Sequence, residues 1–303
     1  MSSSAHELGD ARKGLLFAFA AYGIWGIAPI YFVWVSFAQP LEVVAHRVAW
    51  GIPLLGLLLL LSGQWREVRS LAAPALGYLL ASALCLSINW LMFIYAIQTE
   101  RIAEASLGYF INPLVSIVLG WLFLRERLRP LQWLAVAVAA IGVCAELWVR
   151  ASLPWLGLTL ALTFGVYGLL RKQVNVGAVA GLSIETAVVA PFAVGFLVWL
   201  SLHGSTRDIG ELLSLGLGGL VTVVPLICFA AAAIRLPLTT LGFVQYLSPS
   251  CALMLAIFIY GEVVPAERWF TFAFIWGALI IFSFAGLYRY RKQPRQTDGC
   301  SNS

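Results

Sequence analysis

Four ionisable residues lie near the starts of two apolar stretches of the sequence, where charge is costly. Glu42, His46 and Arg47 lie in the stretch 41–61, and Glu104 lies near the start of the stretch 102–124. At the centre of a bilayer a charged side chain costs roughly 2.5–3.5 kcal/mol on insertion scales, so such residues usually have a function. Glu42 and His46 are spaced i, i+4 and share one helix face, and histidine titrates near neutral pH. The four residues could carry a proton, anchor a substrate or form a charged gate.

Ion pairing at helix ends is the alternative explanation for these charges. Arg47 could neutralise Glu42 or Glu104, and for Glu42 and Arg47 both explanations stay open. For His46 and Glu104 we favour the functional explanation. His46 and Arg47 are then the expected partners of Glu104.

Uncharged polar and aromatic residues in the apolar stretches form a second candidate set. Ligand pockets combine apolar walls with a few well-placed polar groups. Hydrogen bonding between helices, without any ligand, would explain the same residues. The candidates for a substrate or proton pathway in this set are Asn89, Trp90, Tyr109, Asn112, Gln245 and Tyr246.

The elements that must position these residues are membrane-spanning helices. Of the 303 residues, 61% are hydrophobic and 11% are charged, whereas soluble domains carry about 25% charged residues. A spanning helix needs about 20 predominantly apolar residues. The sequence predicts an all-α integral membrane protein with ten transmembrane helices, of which the sixth is the shortest. They are 15–34, 41–61, 74–97, 102–124, 131–149, 155–170, 178–202, 212–234, 238–260 and 269–288.

The distribution of positive charge predicts the orientation of these helices. Lys and Arg are concentrated in the cytoplasmic loops of membrane proteins. With ten spans and a cytoplasmic N-terminus, most Lys and Arg fall on the inner side, and the outer loops hold only Arg101, Arg150, Arg207 and Arg268. Both termini are therefore predicted to be cytoplasmic. Topology thus explains the net charge of +5, and no nucleic-acid partner is expected.

Glycine and proline mark an internal repeat. The segment "EASLGYFINPL" resembles "TLGFVQYLSP", so that Gly108 corresponds to Gly242 and Pro113 to Pro249. Proline frees a backbone carbonyl one turn earlier and permits a bend, and glycine admits close helix approach. We expect helix bends at these four residues. A packing role alone is the alternative for each residue taken singly.

The repeat also predicts the organisation of the chain. Five helices per half is an odd number, so the second half must be inverted relative to the first. Such inverted repeats are typical of transporters, whose site lies between the halves near the midplane. The predicted repeats are 12–149 and 150–289, with cytoplasmic tails 1–11 and 290–303. The alignment also pairs Glu42 with Glu185 and Glu126 with Glu262.

Several motifs together resemble one known family. "YGIWGIAPIYF", "HRVAW", "NWLMFIYAI", "EASLGYFINPL", "LRERL" and "TLGFVQYLSP" resemble the RarD family, in the EamA branch of the drug/metabolite transporter superfamily. The resemblance covers about 14–288. It implies a ten-helix inverted-repeat bundle in a bacterial inner membrane. Many EamA repeats carry Gly before the conserved Glu. In this sequence Gly261 precedes Glu262 in the second half, whereas Arg125 precedes Glu126 in the first half.

These features favour a secondary exporter of small metabolites or amphipathic drugs. An intramembrane enzyme and a non-transporting scaffold are the alternatives. The sequence has no HExxH, GxSxG or Walker motif, so no enzymatic activity, metal or cofactor is expected. Without an ATPase motif, uphill transport must use an ion gradient, for which a proton is the default. The expected partners are a small-molecule substrate, the lipid bilayer and protons, and the sequence does not indicate an oligomeric state.

Overall fold

The computed structural model describes residues 2–99, 101–150, 155–174, 176–204, 207–261 and 263–292, and the chain is helical with short connections in these ranges. Glu262, the predicted counterpart of Glu126, and residues 293–303 of the predicted C-terminal tail lie outside them. The helices are α1 (Ser2–Trp34), α2 (Pro40–Ser62), α3 (Trp65–Arg69), α4 (Ala73–Gln98), α5 (Ile102–Phe123), α6 (Pro130–Arg150), α7 (Trp155–Gln173), α8 (Ala178–Leu202), α9 (Ile209–Ala233), α10 (Leu238–Gln245), α11 (Leu247–Phe258) and α12 (Ala266–Lys292).

Nine helical segments within the described ranges are long and apolar enough to cross a membrane. One of them, Leu238–Phe258, contains both α10 and α11. The sixth predicted span is formed by α7, a helix of 19 residues that is not among the nine. Its last turn carries Arg171 and Lys172, which lower its mean hydropathy. The count of ten spans therefore stays a prediction.

Local sequence signals explain where several of these helices begin and end. Pro40 opens α2, in a position where the missing N–H has no intrahelical partner to lose. Gly63 ends α2 with a φ of 67°, a left-handed conformation that glycine adopts without strain. Asp208 and Glu211 form a capping box that begins α9. Both ends of α2 and the start of α9 are thus fixed by local sequence.

The ninth predicted span is interrupted at Tyr246, between α10 and α11. Pro249 lies three residues later and has no N–H to donate to the carbonyl of Gln245, one turn back. By contrast, α5 continues through Pro113 from Ile102 to Phe123. The two prolines that the repeat pairs are therefore in different local settings.

Two compact units can be distinguished, and the larger comprises Met1–Glu126 and Leu153–Val263. Within it, α2 packs on α8 and α9, α4 packs on α7 and α8, α5 packs on α7 and α10, and α1 packs on α9 and α11. Its core is aromatic: the ring of Tyr167 stacks on Phe229 at 5.6 Å between centroids, and Tyr22 meets the same Phe229 edge-on.

The smaller unit comprises Arg127–Ser152 and Val264–Ser303, with α6 packed against α12. A Cβ at Gly142 would lie 2.9 Å from Cβ of Phe274, so the glycine allows the two helices to approach closely. The buried hydroxyl of Thr271 donates to Oε2 of Glu146 at 3.0 Å. This bond gives a buried carboxylate a polar partner.

Candidate functional site

A cavity lies between α2, α4, α8 and α9 in the larger unit, and its empty space of about 390 Å³ includes space open to solvent. We call it the central cavity. Most of its wall is apolar, with a few polar groups, which is the composition of a ligand pocket. Its lining residues are Arg47, Val48, Gly51, Ala83, Leu86, Ser87, Trp90, Leu182, Glu185, Thr186, Val189, Thr222, Val223 and Leu226.

Arg47 lies in the wall of the central cavity, held by α9 and by aromatic rings. Its Nε donates to Oγ1 of Thr222 at 2.6 Å. The guanidinium carbon is 5.3 Å from the ring centroid of Phe32 and 5.5 Å from that of Trp90, both within cation–π range. A Cβ at Gly218 would lie 2.7 Å from Cγ of Arg47. This glycine therefore leaves the room that the arginine side chain occupies.

Glu185 lines the same cavity from α8 and belongs to a buried polar network. Ser82 donates to Oε1 of Glu185, and the hydroxyl of Tyr167 donates to Oε2 at 3.5 Å. Nη1 of Arg171 lies 3.7 Å from Oε1, and both side chains are 1% exposed. Gly181 makes space for the guanidinium of Arg171, because a Cβ there would collide with it. Removing one partner of such a buried pair strongly destabilises a protein, because the other charge is left buried and unpaired.

This network was not predicted from the sequence. Arg171 was assigned to a cytoplasmic loop, because a basic residue at the end of an apolar stretch is typical of topology signals. The structure instead places it inside the bundle, at the end of α7. The next residue, Lys172, is also basic, so residue type alone did not distinguish Arg171 from it. Only the position of Glu185 inside an apolar helix was a usable signal.

Arg47 and Glu185 occupy equivalent positions of their helices. Arg47 follows the first residue of α2, Pro40, by seven positions, and Glu185 follows the first residue of α8, Ala178, by seven. Pro53 and Pro191 agree with this register, since each lies 13 positions after the same helix start. Counted from these helix starts, Glu42 lies only two positions into α2, so this register pairs Glu185 with Arg47 and differs from the sequence alignment, which pairs it with Glu42.

Other cavity residues follow the same register. Val48 and Gly51 on α2 correspond to Thr186 and Val189 on α8. Counted from the starts of α4 and α9, three further pairs of lining residues coincide. These pairs are Leu86 with Thr222, Ser87 with Val223 and Trp90 with Leu226.

Glu42 pairs with Arg207 and not with Arg47. The guanidinium of Arg207 donates from Nε to Oε1 of Glu42 at 2.9 Å and from Nη2 to Oε2 at 2.8 Å. Glu42 raises the pKa of Arg207 through these hydrogen bonds, so Arg207 keeps its charge. Next to this pair, Nδ1 of His46 is buried without a hydrogen-bond partner among the described residues. We call the Glu42–Arg207 pair the first clasp.

Glu104 also has partners other than the expected His46 and Arg47. Its Oε2 lies 2.5 Å from Nη2 of Arg101, and its Oε1 accepts the backbone N–H of Leu156 at 3.0 Å. Leu156 lies in the first turn of α7, where backbone N–H groups lack intrahelical acceptors. Glu104 therefore caps α7. The expected partners were wrong because sequence spacing does not show which helix start lies next to the carboxylate.

Two further contacts hold helix starts of the second half of the chain. At the end of α2 opposite Glu42, Oε2 of Glu67 accepts the N–H of Gly177 at 2.7 Å, and Oε1 of Gln64 accepts that of Ala180 at 3.1 Å. We call this the second clasp. Glu126 accepts the N–H groups of Leu238 and Thr239 at 2.6 and 2.9 Å, which caps α10.

The amide and aromatic candidates divide between the cavity and other helix contacts. Trp90 lines the central cavity. Asn89, its neighbour, faces α7 instead, where its Nδ2 donates to the carbonyl of Leu160 and to Oγ1 of Thr163, both at 2.9 Å. Tyr109 is 47% exposed and is not among the residues that line the cavity. Asn89 thus has the partners that a purely structural amide needs.

The remaining candidates lie where α5 meets α10 and α11. The hydroxyl of Tyr246 donates to the carbonyl of Phe110 at 3.3 Å, and Oε1 of Gln245 accepts from Ser116 at 3.5 Å. Oδ1 of Asn112 is buried and has no hydrogen-bond partner among the described residues. These groups are separate from the lining of the central cavity.

The glycines of the repeat lie at close helix crossings. A Cβ at Gly108 would lie 2.9 Å from the carbonyl oxygen of Gly157 on α7. A Cβ at Gly242 would lie 2.7 Å from the carbonyl oxygen of Pro113 on α5. Any larger residue at either position would push two helix backbones apart.

The sequence is similar to known membrane transporters. The EamA-like transporter family matches residues 12–146. An "Uncharacterized transporter" of Vibrio cholerae serotype O1 is 48% identical over 92% of this chain and 94% of its own length. "Protein RarD" of Salmonella typhi is 47% identical over 94% of this chain and 99% of its own, and "Protein RarD" of Escherichia coli K12 is 46% identical over the same shares.

The chain belongs to the RarD family. As a RarD protein it is a multi-pass membrane transporter of the drug/metabolite transporter superfamily, which acts on a small molecule in a lipid bilayer. A chain solved by crystallography has a TM-score of 0.71 to this one, with 18% identity over 90% of this chain and 98% of its own. That likeness concerns the fold alone. Within the described residues, no group of three or more His, Cys, Asp or Glu side chains could hold a metal ion.

Proposed function

We propose that this RarD protein is a secondary transporter that exports small metabolites or amphipathic drugs across the bacterial inner membrane by alternating access. The observation that carries the proposal is the central cavity, with Arg47 and Glu185 at equivalent positions of α2 and α8. In this proposal the chain crosses the membrane ten times as two inverted repeats, 12–149 and 150–289, with both termini cytoplasmic. Transport uses an ion gradient, and the proton is the proposed coupling ion.

The pattern of helix packing supports the repeat. In the proposed repeat, α1, α2, α4 and α5 of the first half correspond in order to α7, α8, α9 and the α10–α11 pair of the second half. Replacing each helix by its counterpart turns the α1–α9 contact into the α7–α4 contact. The same exchange converts α2–α9 into α8–α4, and α5–α7 into the contact of α11 with α1. Each of these contacts is present. A site between related halves is the arrangement in which rocking alternates access.

The two clasps support the gating part of the proposal. The first clasp, Glu42–Arg207, joins the start of α2 to the residues before α9. The second clasp, Glu67 and Gln64 against Gly177 and Ala180, lies beyond the opposite end of α2. A helix of 23 residues is about 34 Å long, so the clasps lie at opposite ends of the bundle. Alternating access requires that only one of them opens at a time.

His46 is the proposed proton carrier of the first clasp. It lies one turn from Glu42 on α2 and interacts electrostatically with both Glu42 and Arg207. A proton gained or lost there changes the charge balance of the clasp. Imidazole is the side chain suited to such a change near neutral pH.

Solute counterflow in proteoliposomes tests the proposal. The purified protein is reconstituted, loaded with one unlabelled solute at a time from a panel of neutral, anionic and cationic metabolites and amphipathic drugs, and exposed to trace labelled solute. At least one solute is expected to exchange faster than in protein-free liposomes, and an imposed pH gradient is expected to drive its accumulation. Exchange of no solute, or chemical conversion of one, would favour the scaffold or the enzyme instead.

A further inference from the structure

Arg47 lacks the carboxylate partner that several other arginines have in the described structure. Arg101, Arg171, Arg207 and Arg235 each have a carboxylate oxygen within 4 Å, on Glu104, Glu185, Glu42 and Asp10 respectively. In the part of the chain that the structure describes, no carboxylate lies within that distance of Arg47.

The contacts that Arg47 does make leave its terminal amino groups available. A guanidinium has five N–H donors in a planar fork, and Nε of Arg47 uses one of them on Thr222. Phe32 and Trp90 lie against the guanidinium as cation–π partners and accept no conventional hydrogen bond. The outer edge of the fork can therefore pair with two oxygens of one ligand carboxylate.

The charge balance of the central cavity favours a monoanion. Glu185, the acid in its lining, is already held by Ser82, Tyr167 and Arg171. The Arg171–Glu185 pair is neutral overall, so the charge of Arg47 remains without a counter-ion. A single carboxylate would neutralise it. A phosphate dianion would need a second free cation, and a cationic ligand would be repelled.

The rest of the cavity wall favours an apolar body. The aliphatic side chains of Val48, Leu86, Leu182, Val189, Val223 and Leu226 line it together with the indole of Trp90. The empty space of about 390 Å³ includes space open to solvent, so the chemistry of the wall, and not this volume, indicates the ligand. The wall therefore suits a molecule with an apolar body and one charged end.

We propose that the central cavity selects small monocarboxylates with an apolar or aromatic body, whose carboxylate is held by the terminal amino groups of Arg47. This substrate class rests on the proposed transport function. Arg47 is the specificity-determining residue, and Thr222 positions its guanidinium. A neutral molecule of the same shape leaves the arginine without a counter-ion and binds less well.

Three probes with one body and different ends test the selectivity. Binding of 3-phenylpropionate, 3-phenylpropionamide and 3-phenylpropylamine to the purified protein is measured by titration calorimetry, with protein-free detergent micelles as the blank. The acid is expected to bind at least about tenfold tighter than the amide, since a charge-assisted bidentate pair replaces a neutral contact. The amine is expected to bind most weakly. Equal affinity of acid and amide in the wild type would overturn the proposal.

Variants assign the preference to Arg47. In Arg47→Gln, acid and amide are expected to bind within about twofold of each other, because the charge of the fork is gone. Thr222→Val is expected to reduce the preference without abolishing it. Arg235→Gln removes an arginine outside the cavity and is expected to leave the preference intact. If Arg47→Gln does not fold, the three-probe comparison in the wild type and in Thr222→Val decides alone.

Counterflow separates this inference from the proposed function. Tight binding of the acid with no exchange of any solute supports the binding site and contradicts transport. Exchange of a neutral or cationic solute that 3-phenylpropionate does not inhibit supports transport and contradicts the monocarboxylate site.

Discussion

Arg207 holds both carboxylate oxygens of Glu42, at 2.9 and 2.8 Å, and so joins the segment before α9 to the first turn of α2. The pair is asymmetric in exposure: the side chain of Glu42 is 3% exposed and that of Arg207 is 21% exposed. Arg207 also lies 3.7 Å from Glu211 and 5.3 Å from the ring centroid of Phe37. A partly exposed guanidinium can leave such a contact without passing through the protein interior, as a gate requires.

Breaking the first clasp should open one end of the central cavity. With Ser87→Cys as the reporter in a background without native cysteines, Arg207→Gln should raise labelling by a membrane-impermeant maleimide. We expect about a fivefold faster reaction, because a partly exposed ion pair contributes on the order of 1 kcal/mol. Glu67→Gln, in the second clasp, should raise labelling from the opposite side of the membrane only. Equal labelling of both variants from both sides would contradict separate gates.

Glu104 should prove a structural residue of the helix ends. Glu104→Gln keeps an acceptor for the N–H of Leu156 but loses the charge that pairs with Arg101 and complements the start of α7. We expect a loss of about 1 kcal/mol in the free energy of unfolding, seen as a lower melting temperature. Flux in proteoliposomes and its pH profile should be unchanged. A flattened pH profile with normal melting would instead return Glu104 to the proton pathway.

The Arg171–Glu185 pair should be important for stability. Glu185→Gln leaves the buried guanidinium of Arg171 without a counter-ion, which costs on the order of 3 kcal/mol. The double variant Arg171→Met, Glu185→Gln should recover part of the lost melting temperature, because it removes the unpaired charge. Arg235→Gln is the matched control, since the Arg235–Asp10 pair is 27% and 47% exposed. Additive losses in the double variant would contradict coupling between Arg171 and Glu185.

The sequence predicted the membrane-spanning character and the family, because both depend on composition and on local motifs. Hydropathy alone locates apolar helices, and the α2, α8 and α9 stretches were found in this way. The pairing of charges was predicted incorrectly, because it depends on which helix ends meet. Glu104 meets the start of α7, and Glu42 meets a loop arginine that is 165 residues away.

Arg171 is a further charged residue whose partner could not be predicted from the sequence. Its place in the sequence, next to Lys172 and after an apolar stretch, is that of an ordinary topology signal. Because α7 and α8 both pack on α4, Arg171 lies beside Glu185 in the structure. Arg47, by contrast, was a candidate from the sequence because of its charge inside an apolar stretch, although ion pairing at the helix end stayed open as its explanation.

The ten-span topology can be tested at two points. Reporter fusions at Gly204 and at Ser303 should report opposite sides of the membrane, with Ser303 cytoplasmic. With a cytoplasmic N-terminus, a cytoplasmic Ser303 requires an even number of spans, so α7 must cross the bilayer although it is less apolar than the other spans. Identical sides for the two fusions would mean that the span count is wrong.

The two prolines of the repeat should differ in their effect on transport. Pro249→Ala restores a donor for the carbonyl of Gln245 and favours one continuous helix in place of α10 and α11. Straightening this span would displace Tyr246, whose hydroxyl bonds the carbonyl of Phe110. We therefore expect flux to fall several-fold while the yield of inserted protein is kept. Pro113→Ala should have a smaller effect, because α5 is already continuous through that residue.

Pro191→Ala in α8 is the control for these variants, since α8 also continues unbroken through its proline. It should resemble Pro113→Ala in flux and in yield. Flux and expression are measured together, because a fall in yield alone would indicate impaired insertion. Full activity and equal expression of Pro249→Ala would show that the interruption at Tyr246 has no part in transport. The break between α10 and α11 would then be a consequence of packing against α5.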